Sequence, residues 1–218
     1  MSENIILEIY KRLYSFYGNQ HWWPGESPFE ISIGAILTQN TNWSNVERAI
    51  ENIKRANLLS PEKMYKIPKK DLSRLIRPAG YYNVKAERIK AFVKFLIKYY
   101  NGNMDKMKAE GLSTLRKKLL SVHGIGPETA DSILLYALNM PVFVIDAYTK
   151  RIFSRHGVMN YNATYDEYQS LFHKELDEDV KIFNEYHALI VRVAKDFCKP
   201  KPKCEGCPLK LDILFPNE

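Results

Sequence analysis

Two glycines separated by one residue, Gly124-Ile125-Gly126, stand between stretches of helical periodicity, and no other stretch constrains the fold as tightly. Ser113 to Val122 reads as an amphipathic helix leading into the turn. Behind it, Pro127 suits a first helical position, where its missing N–H would be unpaired in any case. Glu128 places a negative charge in the first turn, and Ala130, Ile133, Leu134 and Ala137 recur at helical spacing. The chain therefore doubles back between two helices. The glycines let the backbone approach a ligand closely, and the N–H groups around Gly124, Ile125 and Gly126 and in the new first turn are placed to bind an anion. Such a turn also occurs as a plain connection between packed helices. With 32 Lys and Arg against 25 Asp and Glu, a net charge of +7 and a pI of about 9.1, a polyanion is the natural partner: nucleic acid first, an anionic membrane surface second.

A short apolar run, Val142 to Ile145, ends in Asp146, 18 residues after Glu128. A carboxylate directly after an apolar run sits at the edge of a core. Asp146-Ala147-Tyr148 also reads as an N-cap opening the next helix, and the two roles are compatible.

The remainder reads as helices. They run over Asn4 to Tyr17, Phe29 to Leu37, Trp43 to about Asn57, a short helix started by Ser60-Pro61-Glu62, another over Asp71 to Ile76, and Val84 to Tyr100. Beyond Asp146 they cover roughly Ala147 to His156, Tyr165 to Leu176 and Val180 to Phe197. Lys85, Arg88, Lys90, Lys94 and Lys98 read as a solvated basic face of the Val84 helix. No alternating strand and no solenoid repeat is legible, so the fold class is all-α. No stretch approaches the ~20 apolar residues of a bilayer span. The N-terminus lacks a basic region and cleavage site, and three cysteines do not make a disulfide scaffold, so a cytoplasmic location is expected.

Two loops carry candidate recognition residues. Trp22, Trp23 and Pro24 form an aromatic turn: one Trp in a core with the other as its lid, or a wall that stacks a planar base. Thr38-Gln39-Asn40-Thr41-Asn42 is a polar break, an ordinary cap or a donor and acceptor of hydrogen bonds to nucleic acid. Near the C-terminus, Cys198, Cys204 and Cys207 follow a C-x5-C-x2-C pattern. Thiolates at such spacing suit zinc or an iron–sulfur cluster.

The stretch from the hairpin to Asp146 resembles the helix-hairpin-helix (HhH-GPD) DNA glycosylase superfamily, of endonuclease III type, with its LxGxGxxTA hairpin followed by VD. The resemblance spans about residue 27 to the C-terminus. It implies two helical lobes, a six-helix lobe over 27–140 and a second built from 1–26 with 141–218, with Asp146 in the cleft between them. It implies that Gly124, Ile125, Gly126 and Thr129 contact phosphate of double-stranded DNA, and that Asp146 is the catalytic carboxylate. Gln39 or Asn40 would fill the gap left by a flipped base, and Tyr81, in GYYNVKAERI, would wedge into the stack. Bifunctional members carry a lysine where Glu128 stands, so a monofunctional enzyme without efficient strand cleavage is implied. The combination of WWP, LTQNT, GYYN and the hairpin is similar to bacterial 3-methyladenine DNA glycosylases of endonuclease III type. By that likeness Trp23, Pro24 and Trp43 sandwich the base, with Trp22 beside them and Lys195 shaping the site. A bifunctional lyase acting on oxidised pyrimidines and a non-catalytic DNA-binding module are the alternatives. Endonuclease III proteins bind a [4Fe-4S] cluster through C-x6-C-x2-C-x5-C, whose fourth position here is Ile213. Asp212 is the nearest non-cysteine candidate, zinc or loss of the metal being the other options. Catalysis needs no cofactor in this class, and a monomer suits an enzyme that wraps one duplex.

Overall fold

The computed structural model describes residues 4–22 and 25–210. Among them every regular element is helical. The first helix, α1, spans Ile5–Tyr17, with Asn4 accepting from the Leu7 N–H as N-cap. It is followed by α2 (Pro28–Leu37), α3 (Trp43–Arg55), α4 (Pro61–Lys66), α5 (Lys69–Leu75), α6 (Tyr82–Tyr100), α7 (Met104–Lys108), α8 (Leu112–Leu120) and α9 (Pro127–Ser132). The last three are α10 (Ala147–Arg155), α11 (Tyr165–Glu175) and α12 (Val180–Asp196). The chain divides into two compact units, one of Trp23–Met140 and one that joins Met1–Trp22 to Pro141–Glu218.

In the continuous unit, α6 packs against α2, α4 and α5. Helix α2 is buried on nearly every side, and the Trp43 ring lies 3.5 Å from where a Cβ on Gly34 would sit. Asn42 caps α3 by accepting from the Asn45 N–H at 3.1 Å. The basic run on α6 is a solvated face only in its second half, where Lys94 and Lys98 are exposed; Lys85 and Lys90 are turned to the fold. Lys85 is 1% exposed, and its ammonium donates to the carbonyls of Leu37 at 2.8 Å and Ala79 at 2.7 Å. Lys90 donates to the carbonyls of Met64, Tyr65 and Ile67 at the end of α4. These lysines terminate other elements, because a helix end leaves carbonyls that need donors. Helix α7, which the periodicity does not announce, is a five-residue helix begun by the Asn103 side chain. The helical pattern after the hairpin runs on to Ala137, but its last turn is π-helical. The Leu138 N–H reaches back to the Ile133 carbonyl at 3.2 Å, and Asn139 then adopts a left-handed conformation at φ 52°.

In the discontinuous unit, α12 packs against α1 and α10. The Tyr186 hydroxyl donates to the Ile6 carbonyl at 2.8 Å, and Phe143, Phe153, Phe172 and Phe183 are fully buried. Phe143 lies in the extended segment before α10 and stacks on Phe172 with centroids 3.8 Å apart. No helix among the described residues is long and apolar enough to cross a membrane.

Candidate active site

The residues leading to Asp146 are extended and buried, so their backbone polar groups need partners. Helix α11 supplies them from side chains four residues apart. The Phe143 N–H donates to His173 Nε2 at 3.1 Å, Gln169 donates to the Phe143 carbonyl at 2.7 Å, and the Ile145 N–H donates to the Tyr165 hydroxyl at 3.3 Å. One helix face thus replaces the partner strand that an extended segment normally requires, and it fixes where the segment ends.

It ends at Asp146, the N-cap of α10. Its Oδ1 accepts from the Thr149 N–H at 2.7 Å and the Thr149 hydroxyl at 2.9 Å. Its Oδ2 lies 3.4 Å from His187 Nε2, with the Asp146 side chain 12% exposed. Burial by itself pushes this carboxyl pKa up, but His187 and the two Thr149 donors outweigh burial and hold it below the ordinary range. A buried carboxylate kept ionised in this way can stabilise a developing positive charge beside it. His187 went unremarked in the sequence. The signal was a lone histidine in the otherwise apolar stretch of α12 from Tyr186 to Ile190. Lys195, the penultimate residue of α12, is exposed. The segment before Trp22 is tied to the same helix, since the Gln20 N–H donates to the Glu185 carboxylate at 2.7 Å. Trp22 itself is half-buried. Trp23 and Pro24 lie outside the described residues.

The hairpin belongs to the continuous unit. Gly124 has φ +81°, a left-handed conformation, and a Cβ there would collide with the Arg88 side chain. The Ile125 N–H closes the turn onto the Val122 carbonyl at 3.0 Å. Gly126 caps α9 with no side-chain hydrogen bond to the first turn. Gln39 Nε2 donates to the Gly124 carbonyl at 3.0 Å and to Thr129 Oγ1 at 2.8 Å, while its Oε1 accepts from Arg88. The Gln39 amide is therefore committed to bracing the hairpin. Asn40 beside it is exposed, with φ 53°. Across the hairpin, Arg116 grips the fully buried Asp131 with two hydrogen bonds of 2.7 and 3.1 Å. Glu128 is exposed in the first turn of α9. Tyr81 holds φ 44° at the start of α6 and is 72% exposed, a rare backbone conformation for a bulky side chain. Trp43, half-buried, opens α3 in this unit.

The cysteines lie in the discontinuous unit. Cys198 and Cys207 are buried and Cys204 is exposed. All three line a cavity of about 450 Å³ shared with His156 and Phe197. Arg151 Nε donates to the Cys198 carbonyl at 2.7 Å, and Arg155 donates to Cys198 Sγ at 3.3 Å and to the carbonyls of Lys199 and Pro200.

An all-helical chain with a braced Gly-x-Gly hairpin between two helices, and a buried aspartate capping a later helix, has the build of a helix-hairpin-helix DNA repair protein. Residues 33–178 match the model of the HhH-GPD superfamily base excision DNA repair proteins, and the chain belongs to this family. It is 52% identical over 215 residues to a candidate DNA repair glycosylase of Methanocaldococcus jannaschii, covering 96% of this chain and 97% of the relative. It is 29% identical over 216 residues to Endonuclease III of Thermotoga maritima, covering 99% of this chain and 93% of the relative. Among solved structures, the H. pylori 3-methyladenine DNA glycosylase bound to 1,N6-ethenoadenine matches with a TM-score of 0.77 and 30% identity. That match covers 88% of this chain and 97% of the other. A non-covalent endonuclease III–DNA complex matches in fold with a TM-score of 0.83 at 21% identity, over 96% of this chain and 94% of the other. The protein is a base-excision-repair DNA glycosylase.

Proposed function

We propose that the enzyme is monofunctional and hydrolyses the N-glycosidic bond of alkylated bases, 3-methyladenine-like in chemistry, in double-stranded DNA. The observation that carries this reading is the buried Asp146 carboxylate, held ionised by His187 and Thr149. As the C1′–N bond breaks, the base leaves with the bonding electron pair and the sugar carbon becomes positive. Asp146 stabilises that charge, and water adds its oxygen to C1′ while its proton passes to the carboxylate. A cationic alkylated purine departs as a neutral base, so no general acid is needed. Trp22, Trp23, Pro24 and Trp43 supply stacking and cation–π attraction, about 0.5–2 kcal/mol per contact. The likeness to the H. pylori glycosylase supports this substrate class.

A strand-cleaving lyase needs an amine to attack C1′ and form a Schiff base. Glu128 offers none. Lys85, whose pKa burial and then Arg88 push down to about 8, is sealed against two carbonyls. The glycine-rich turn of Gly124, Ile125 and Gly126, with Thr129, takes the phosphate, and Tyr81 enters the stack. With Gln39 engaged on the hairpin, Asn40 is the amide that fills the gap left by the extruded base.

The test is base release from methylated duplex DNA, with strand breaks scored before and after alkali. Free 3-methyladenine with breaks only after alkali supports the reading. Nicking of oxidised DNA without alkali, with borohydride trapping of a covalent adduct, would return the chain to the bifunctional class. Asp146→Asn should keep duplex binding and lose excision by roughly 10²–10⁴-fold.

A further inference from the structure

The cavity lined by the cysteines does not fit the four-iron cluster of endonuclease III proteins: among the described residues, no group of three or more His, Cys, Asp or Glu side chains could hold a metal. The segment that carries Asp146 is built for another purpose. Val142, Val144 and Ile145 are β-branched and favour an extended backbone. Its partners on α11, Tyr165, Gln169 and His173, stand four residues apart and so share one helix face. The pairing is antiparallel, with Ile145 on Tyr165 and Phe143 on Gln169 and His173. The two spacings agree. Four residues of helix rise about 6 Å, and two residues of extended chain span about 6.6 Å, so one turn of α11 matches the step from Ile145 to Phe143. The ladder therefore sets a register, and a slip by one residue would turn the buried side chains of the segment to its opposite face.

That register reaches the carboxylate. The Phe143 ring stacks on Phe172 of α11 and meets Phe183 and Tyr186 of α12 edge-on. His187, the next residue of α12, lies 3.4 Å from Asp146 Oδ2. Phe143 thus ties α11 both to the segment that ends in the carboxylate and to the helix that carries its histidine. Beyond Asp146, Thr149 holds Oδ1 with two donors. The chain is fixed directly before and directly after the carboxylate.

We propose that Gln169 and Tyr165 are positioning residues for base excision: they set the register of 142–145 and so hold Asp146 Oδ2 opposite His187. The inference rests on the reading of Asp146 as the carboxylate that stabilises the sugar cation. Both side chains act through Asp146, and an error of about 1 Å in the place of a reacting group can cost roughly 100-fold in rate.

The experiment uses the full chain as wild type, Gln169→Met, Tyr165→Phe, His187→Gln and the double variant Gln169→Met with His187→Gln. Gln169→Met keeps the side-chain length and removes the donor, while Tyr165→Phe removes one oxygen. Two independent single changes are made so that misfolding of one leaves the other as a test. Three quantities are read: the single-turnover rate of excision from methylated duplex DNA, the Kd for that duplex, and the titration of the Asp146 carboxyl by ¹³C NMR. Gln169→Met and Tyr165→Phe should each excise roughly 10- to 100-fold more slowly at an unchanged Kd. In wild type, His187 and Thr149 offset burial and keep the Asp146 titration below the ordinary carboxylate range, so in both variants it should move up. The double variant should be no slower than the slower of its two single variants, because both changes act on one pair. The proposal is overturned if the variants excise at the wild-type rate, if the Asp146 titration stays in place, or if the losses multiply in the double variant. A matching loss of duplex affinity would also overturn it, by assigning this face of α11 to DNA binding. Should wild type release nothing from methylated duplex, the alkyl-base reading fails, and the rates are read on oxidised duplex. The Asp146 titration needs no substrate and still decides the role of Gln169 and Tyr165.

Discussion

Asp146 does two jobs with two oxygens. Oδ1 is spent on capping α10 through Thr149, while Oδ2 meets His187. Because its native pKa is depressed, the ionised carboxyl contributes stability above the ordinary value near 3.9 that is lost as pH falls through the native pKa. The same sign governs activity: excision should hold its plateau down through the usual carboxylate range. In His187→Gln the opposing charge is gone and burial dominates, so the acid limb of the excision profile should move to higher pH. An unchanged limb would mean that His187 does not set the Asp146 charge. Tyr81 gives a second residue-scale prediction. A left-handed tyrosine costs about 1 kcal/mol or more, and Gly80 before it is left-handed as well. Tyr81→Gly relieves that strain, so urea unfolding should show equal or greater stability while excision from duplex DNA falls. A loss of stability without a loss of excision would mark Tyr81 as a structural residue. Asp146 was legible in the sequence because a carboxylate after an apolar run is a local pattern. His187 was not, because its partner lies 41 residues away and only folding brings them together.

At the scale of elements, the hairpin is a braced joint. Gln39 and Arg88 hold the turn from one side, and Arg116 on α8 grips Asp131 on α9 from the other. Asp131 is wholly buried and Arg116 is 20% exposed. Removing the arginine takes two charge-assisted hydrogen bonds from a buried carboxylate, and breaking a buried pair in this way typically costs about 3–5 kcal/mol. Arg116→Ala should lower the urea midpoint accordingly, and Arg116→Lys should restore only part of it, since an ammonium cannot make the paired contact. A midpoint within about 0.5 kcal/mol of wild type would show that the two helices do not depend on the clamp. The helices on either side were readable from periodicity and from Pro127. Their clamp was not, since nothing in the local sequence of Arg116 or Asp131 marks the two as partners 15 residues apart. Helix α7 escaped for another reason: five residues are too few to display a period.

Over the whole molecule, a surplus of basic residues does not translate directly into a DNA-binding surface. Lys85, Lys90, Arg116, Arg151 and Arg155 are occupied by carbonyls, carboxylates and a thiol of the fold. The net charge of +7 was legible at once, but which charges face outward was not, because a lysine that caps a helix end has the same local sequence as one in solvent. Lys85 separates the two roles by pH. Burial, then Arg88, lower its pKa to about 8, against about 10.4 in the unfolded chain. Between those values the native state binds fewer protons than the unfolded state, so stability rises with pH across that window. Burial lowers the Lys90 pKa too, which adds to the slope. Above about pH 10 the slope reverses, because the buried phenols of Tyr17, Tyr100 and Tyr186 have raised pKa values and only the unfolded chain ionises there. Urea unfolding at about pH 7 and about pH 9.5 should therefore show wild type gaining on Lys85→Met, by up to about 3 kcal/mol for the full shift. Lys85→Met should leave the salt dependence of duplex binding unchanged, because a lysine that contacts no phosphate releases no counterion. If the variant instead lost about one unit of salt slope and kept the wild-type pH dependence, Lys85 would belong to the DNA surface and its burial in the native state would be refuted.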